Sequence, residues 1–142
     1  MGWLVDEDCT FEELLALRPA LQEKYGAFLE SLRLEGEVPE RILTLCRARV
    51  AQIHGRPVQG ITDEEAEWLA AGEAGSLSEA ERAALALAER MPFGHHYIED
   101  QEVERVKQHL GNSGAVTLLT ALAFFDVNCR LDATFNGGPD VN

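Results

Sequence analysis

Helix-start signals recur along the whole chain, and they constrain its fold more than any other feature of the sequence. Three segments place a Ser or Thr three residues before a Glu: Thr10 with Glu13, Thr62 with Glu65, and Ser78 with Glu81. This spacing is the capping box, in which hydroxyl and carboxylate each bond a backbone N–H that the first helical turn leaves unpaired. No segment alternates apolar and polar residues for long enough to indicate a strand. The sequence therefore predicts an all-α protein.

Apolar spacing and helix-stop residues divide the chain into about six or seven helices. We expect them at about 10–17, 19–35, 39–53, 62–71, 78–91, 100–111 and 113–135. Asp100 is the expected cap of the sixth helix, and Gly111 is expected to end it. The first half of the last helix is apolar nearly all round, so we expect it to be central and buried, in part against another subunit.

Length and charge narrow the classes of protein. The 142 residues fit one domain, 1–142, that is long enough to bury a core. The 25 acidic and 12 basic residues give a net charge of −13, which repels nucleic acid and anionic lipid. The longest apolar run, 115–125, is shorter than the ~18 residues of a membrane span, and 1–13 lacks the basic start of a secretory signal. We therefore predict a cytoplasmic protein without nucleic-acid or membrane partners.

The cysteines indicate no disulfide or zinc site. Cys9, Cys46 and Cys129 are widely spaced and form no C-x-x-C pair. We interpret them as small buried thiols in a reducing compartment.

The segment 45–63, LCRARVAQIHGRPVQGITD, carries a family resemblance. Its helix carries Arg49 and ends at Gly55. This arginine-to-glycine spacing resembles the carboxymuconolactone decarboxylase and alkylhydroperoxidase D-like superfamily. The segments 19–39 and 120–131 also resemble the entry and final helices of that family. The resemblance implies an alkylhydroperoxidase D-like helical bundle that forms dimers, trimers or hexamers.

Four positions depart from the peroxidase branch of this family. The resemblance places Arg56 and Gln59 at its two cysteines, Asp63 at its histidine and Thr44 at its proton-relaying glutamate. Thiol peroxidase chemistry requires a thiolate and a resolving thiol within disulfide reach. Neither a guanidinium nor an amide supplies one, and Cys46 lies on the apolar face of its own helix, where we expect it in the core.

Arg56 and three histidines are the candidate catalytic residues. Arg56 follows a helix end and would hold a carboxylate bidentately. His54, His95 and His96 would move a proton near neutral pH. Decarboxylation or isomerisation of a small organic acid fits such a set, and the resembling family has a decarboxylase branch without the cysteine pair. We predict no cofactor. We also predict no metal site, because adjacent histidines seldom face one ion.

Other interpretations stay open. Arg56 would equally pair with Asp63 or Glu64 or bond the last helix carbonyls, and His54 would simply suit a helix C-terminus. The chain would then be a non-catalytic binding or assembly protein on the same scaffold. A peroxiredoxin-like antioxidant follows from the resemblance alone. We also predict a homo-oligomer, because the last helix offers more apolar surface than a small monomer covers.

Overall fold

The chain is largely helical in the computed structural model, which describes residues 9–34, 36–73 and 75–136. The α-helices are α1 (Phe11–Leu14), α2 (Pro19–Leu34), α3 (Glu40–Ile53), α4 (Asp63–Ala71), α5 (Glu79–Arg90) and α6 (Asp100–Phe135). A short 3-10 turn at Leu15–Leu17 connects α1 to α2, and two more, at Met91–Phe93 and His95–Tyr97, connect α5 to α6. The described residues contain no strand, and the prediction of a single-domain all-α bundle is confirmed. The ends of the predicted domain, 1–8 and 137–142, lie outside the described residues.

Two of the three predicted capping boxes are complete. The hydroxyls of Thr62 and Ser78 each accept a hydrogen bond from the third helical N–H at 3.1 Å, and the Glu at that position accepts one in return. Thr10 accepts from the Glu13 N–H at 3.1 Å. The α6 cap is Glu99 instead of the predicted Asp100, because the Glu102 carboxylate accepts from the Glu99 N–H and closes a box one residue earlier.

Gly111 interrupts α6 as predicted. Its φ of 74° and ψ of 176° are not helical, and they join two helical arms, 100–110 and 112–135, across a kink. Positive φ costs glycine little, whereas any residue with a Cβ is strained there.

The core lies between α3, α5 and the second arm of α6. Leu45 of α3, Leu87 of α5, and Leu118 and Leu122 of α6 are fully buried. Cys46 is also fully buried among them, as predicted. These three helices thus supply most of the interior, and Leu69 of α4 adds to it.

Two surfaces are less covered than the sequence indicates. Helix α2 contains no buried residue and contacts α6 through Phe28, whose ring centroid lies 4.6 Å from that of Phe124. Val116, in the part of the last helix expected to be buried, is 66% exposed. The side of the arm that carries Val116 therefore faces solvent. Of the described helices, α6 is long and apolar enough to span a membrane, a test that core helices of soluble proteins also pass.

Candidate functional site

A cavity of about 630 Å³ lies between α3, α6 and the segment leading into α1. Helix α3 contributes Arg47 and Ala51, one turn apart, and α6 contributes residues from Phe125 to Asn136. Residues four apart share a helix face, so each helix presents one stripe to the cavity. The lining comprises Cys9, Thr10, Glu12, Glu13, Gln22, Arg47, Ala51, Arg56, Pro57, Gln59, Phe125, Asn128, Cys129, Asp132 and Asn136.

The turn after α3 brings Arg56 into the cavity wall. Gly55 has a φ of 67°, its N–H bonds the Gln52 carbonyl at 3.0 Å, and the Arg56 N–H bonds the Ala51 carbonyl at 2.8 Å. These two bonds form a Schellman motif, which reverses the chain with a left-handed glycine. Arg56 is therefore held against the last turn of α3.

Neither arginine of the cavity is paired within the described part of the chain. Arg47 and Arg56 form no ion pair there, and the Arg56 Nε atom is buried without a hydrogen-bond partner. The alternative in which Arg56 pairs with Asp63 or Glu64 is not seen among the described residues. A buried, unpaired guanidinium N–H is costly, so this wall is suited to an acceptor from outside the chain.

Carboxylates on the opposite wall are tied to the protein. Asp132 accepts a hydrogen bond from the Phe11 N–H, and Glu12 accepts one from Asn128 Nδ2 at 3.2 Å. The Tyr25 hydroxyl donates to Asn128 Oδ1 at 2.5 Å. Burial, with the charges of Glu12 and Asp132, raises the pKa of Tyr25 to about 12. This network fixes α1 and α2 onto α6 beside the cavity.

Two thiols that are distant in sequence line the same cavity. Cys9 is held near the end of α6, since its N–H donates to Asn136 Oδ1 at 3.2 Å. Cys129 lies on α6 and is 8% exposed. Burial raises the Cys129 pKa to about 11, helped by Asp132 and Asp126 and opposed by Arg56 and Arg47. The thiolate required of a nucleophile is therefore scarce at neutral pH.

A second cavity of about 410 Å³ adjoins the first beneath α2. The two share Glu12, Arg47, Phe125 and Asn128, so they form one groove between α3 and α6. Thr44 lines the second part, whereas Arg56 and Gln59 line the first. Three of the four positions at which the chain departs from the peroxidase pattern thus border this groove, while Asp63 begins α4 outside it.

His54 joins two helices outside the lining of the groove. It caps the C-terminus of α3, and its Nε2 lies 2.6 Å from Asp126 Oδ1 on α6. Arg130 Nε donates to the other Asp126 oxygen at 3.0 Å and Arg130 Nη2 to the Pro92 carbonyl at 2.7 Å. The chain of polar contacts anchors α3 to α6, which is a structural use for a residue predicted to shuttle protons.

His95 and His96 are exposed in a 3-10 turn. Their ring centroids lie 5.7 Å apart at 86°, an edge-to-face contact between two imidazoles. Neither lines the cavity that holds Arg56. The described residues contain no cluster of three His, Cys, Asp or Glu able to hold a metal ion. Of the predicted catalytic residues, the structure places Arg56 in the cavity and the three histidines elsewhere.

Sequence reasoning missed Arg47, Cys129 and Asp132. Arg47 and Ala51 share a helix face that the sequence indicates, but the opposite wall depends on how α6 packs. No family model, curated protein or solved structure matches the chain. The resemblance to the carboxymuconolactone decarboxylase superfamily therefore stays a prediction.

Proposed function

We propose that the chain binds a small organic acid in the cavity lined by Arg56 and Arg47. The observation that carries this proposal is the buried Arg56 Nε, which lacks a partner among the described residues. A carboxylate there would accept charge-assisted hydrogen bonds from a guanidinium that forms no ion pair with an acid among the described residues. The volume of about 630 Å³ falls in the range of small-molecule sites.

Benzoate and its neutral isostere benzamide test the binding step by calorimetry. We expect benzoate to bind and benzamide to bind more weakly. Only the carboxylate is charged and offers two acceptor oxygens to the guanidinium of Arg56. In Arg56→Gln the benzoate affinity should fall about 10- to 100-fold, the equivalent of losing hydrogen bonds to a charged group. The matched control is Arg105→Gln, an exposed arginine outside this cavity. Equal affinities for the two ligands, or an unaffected Arg56→Gln variant, would contradict the proposal.

We further propose that the bound acid is decarboxylated or isomerised without redox chemistry, as in the non-redox branch of the resembling family. In a decarboxylation the C–CO₂⁻ bond breaks, its electron pair moves onto the adjacent carbonyl, and CO₂ leaves. A guanidinium would stabilise the resulting enolate oxygen. The carbon that lost CO₂ then needs a proton. His54, His95 and His96 are not placed to donate it, because none of them lines the cavity.

The Cys129 thiol is the proton donor we favour. Its raised pKa, about 11, keeps it protonated at neutral pH, and it lines the cavity with Arg56. An acid of this strength donates to a carbanion and recovers its proton from water. The enzyme proposal thus predicts that Cys129→Ala retains benzoate binding and loses turnover of a β-keto acid or unsaturated lactone acid. Unchanged turnover would refute this role, and a wild type that binds acids without turning any over would be a binding protein.

A thiol-based antioxidant is the second candidate, since Cys9 and Cys129 share the cavity. Peroxide would oxidise one thiolate to a sulfenic acid with release of water, and the second thiol would condense with it to a disulfide. The raised pKa of Cys129 slows the first step. Peroxide consumption that Cys129→Ser abolishes and Cys46→Ser leaves intact would support this candidate over the acid-binding one.

A further inference from the structure

The groove between α3 and α6 continues beyond the cavity that holds Arg56. Its first part, of about 630 Å³, and its second part, of about 410 Å³, share Arg47 in their walls. Arg56 and Cys129 line only the first part, whereas Leu43 and Ala121 line only the second. A ligand held at Arg56 that is longer than the first part therefore extends into the second.

Apolar side chains from three helices line the second part. Helix α2 contributes Leu29 and Leu32, α3 contributes Leu43, and α6 contributes Ala121 and Phe125. Leu43 and Ala121 are buried, while Leu32 and Phe125 pack against the core. Small-molecule sites combine such apolar walls with a few polar groups that fix the orientation of the ligand. The second part thus suits the hydrocarbon portion of a ligand whose polar group lies in the first.

The charged groups of the second part are already paired with one another. Arg33 forms an ion pair with Glu40, and its Nη1 lies 3.8 Å from Glu30 Oε2. Glu12 accepts a hydrogen bond from Asn128 Nδ2 at 3.2 Å. A carboxylate in this part would meet these three acids and an arginine that is already paired. Charge therefore directs the carboxylate of a ligand to the unpaired arginines of the first part.

We propose that the second part of the groove is a tail site, and that the ligand is a linear monocarboxylic acid whose hydrocarbon tail fills it. This inference rests on the proposed function and names the class of acid that the same groove takes. Burial of the tail supplies affinity, while the guanidinium of Arg56 sets the orientation. A second carboxylate at the far end of the ligand would be desolvated among acids, so dicarboxylic acids are excluded.

The spacing of the lining residues sets the length of the acid. Leu43 of the second part and Ala51 of the first lie eight residues apart on α3, as do Ala121 and Cys129 on α6. At about 1.5 Å per residue, both helices give a length of about 12 Å. An extended chain advances about 1.2 Å per bond, because the three backbone bonds of a residue span at most about 3.6 Å. An acid of about ten carbons therefore fills the groove.

Calorimetric titration of wild type with hexanoate, octanoate, decanoate and dodecanoate tests the tail site. The affinity should rise about 3- to 4-fold with each buried methylene up to decanoate and should then level off. Decanedioate has the length of decanoate and a second carboxylate, and it should bind about tenfold more weakly or worse. In Arg56→Gln all four monocarboxylic acids should lose affinity.

A charge placed in the tail site should affect long acids alone. Leu29→Asp should lower the affinity for decanoate about tenfold or more, because the tail would bury a carboxylate, and should leave that for benzoate nearly unchanged. The matched control is Leu21→Asp, which adds the same charge to α2 at a 47% exposed position outside both parts of the groove. It should bind decanoate nearly as wild type does. Circular dichroism verifies that both variants stay helical.

The outcomes separate the tail site from the acid-binding proposal. Benzoate binding that depends on Arg56, together with equal affinities for hexanoate and decanoate, would overturn the tail site alone. A decanoate affinity that is unchanged in Leu29→Asp would place the tail elsewhere and overturn it as well. A wild type that binds none of these acids would overturn both proposals.

Discussion

At the residue scale, the surroundings of the Cys129 thiol determine how readily it ionises. Desolvation raises its pKa to about 11. Thiols react with alkylating agents as thiolates. We therefore expect the rate of Cys129 alkylation by iodoacetamide, followed by peptide mass spectrometry, to rise with pH through a midpoint near 11. Circular dichroism at each pH ensures that the protein is folded, and a midpoint at the ordinary thiol value would contradict the burial argument.

Cys46 provides the internal comparison. It is fully buried in the core, and burial raises its pKa further from the ordinary value. Its alkylation should therefore require unfolding at every pH. The alkylation rate should follow the fraction of protein that urea unfolds, and not the ionisation of the thiol. Alkylation of Cys46 in the folded protein as fast as that of Cys129 would show that the core opens locally.

His54 is expected to contribute to stability more than to catalysis. Its imidazole contacts Asp126 at 2.6 Å, and Asp126 is 15% exposed at its side chain. In His54→Ala the carboxylate loses this partner, so the free energy of unfolding should fall by about 1–3 kcal/mol. Urea denaturation measures the change. His109→Ala, at an exposed position, should stay within about 0.5 kcal/mol of wild type.

At the element scale, two glycines in open space predict opposite effects of one substitution. A Cβ at Gly55 or at Gly26 would meet no atom within 4 Å. Gly55 has a φ of 67° in the turn after α3, and Ala there should destabilise the fold by about 1 kcal/mol. Gly26 lies inside α2, and Ala there should stabilise by up to about 1 kcal/mol. Thermal unfolding of both variants gives the comparison, and equal signs would contradict the backbone argument.

Helix boundaries are the feature that the sequence predicts well. Local chemistry sets the helix starts at Thr62 and Ser78 and the break at Gly111, and all three are confirmed. The error at Asp100 arose because Glu99 also forms a box with Glu102, and single-residue preferences do not distinguish the two. Helix boundaries are thus readable because each depends on residues three or four apart.

The cavity was not readable in this way. Cys9 and Cys129 line one cavity, and His54 contacts Asp126, only because other parts of the chain pack on α6. No periodic pattern encodes such packing. The resemblance drew attention to Arg56 as a candidate catalytic residue, and the structure places it in a cavity wall. It gave no sign that Arg47 would line the same groove.

At the scale of the whole molecule, excess negative charge opposes the compact state. Net charge of −13 on 142 residues produces self-repulsion, which salt screens as the Debye length shrinks from about 30 Å at about 0.01 M to about 3 Å at about 1 M. We expect the melting temperature to rise by several degrees over this range of sodium chloride. Differential scanning calorimetry measures it, and a fall in melting temperature would mean that attractive ion pairs outweigh the repulsion.

Helix α2 roofs one half of the groove although none of its residues is buried. Segments with few buried contacts detach at a small fraction of the global free energy of unfolding. Amide hydrogens of α2 should consequently exchange faster than those of α3, and a bound acid should slow them. A small-molecule ligand would then reach Arg47 and Arg56 when α2 detaches transiently, while the core between α3, α5 and α6 stays folded.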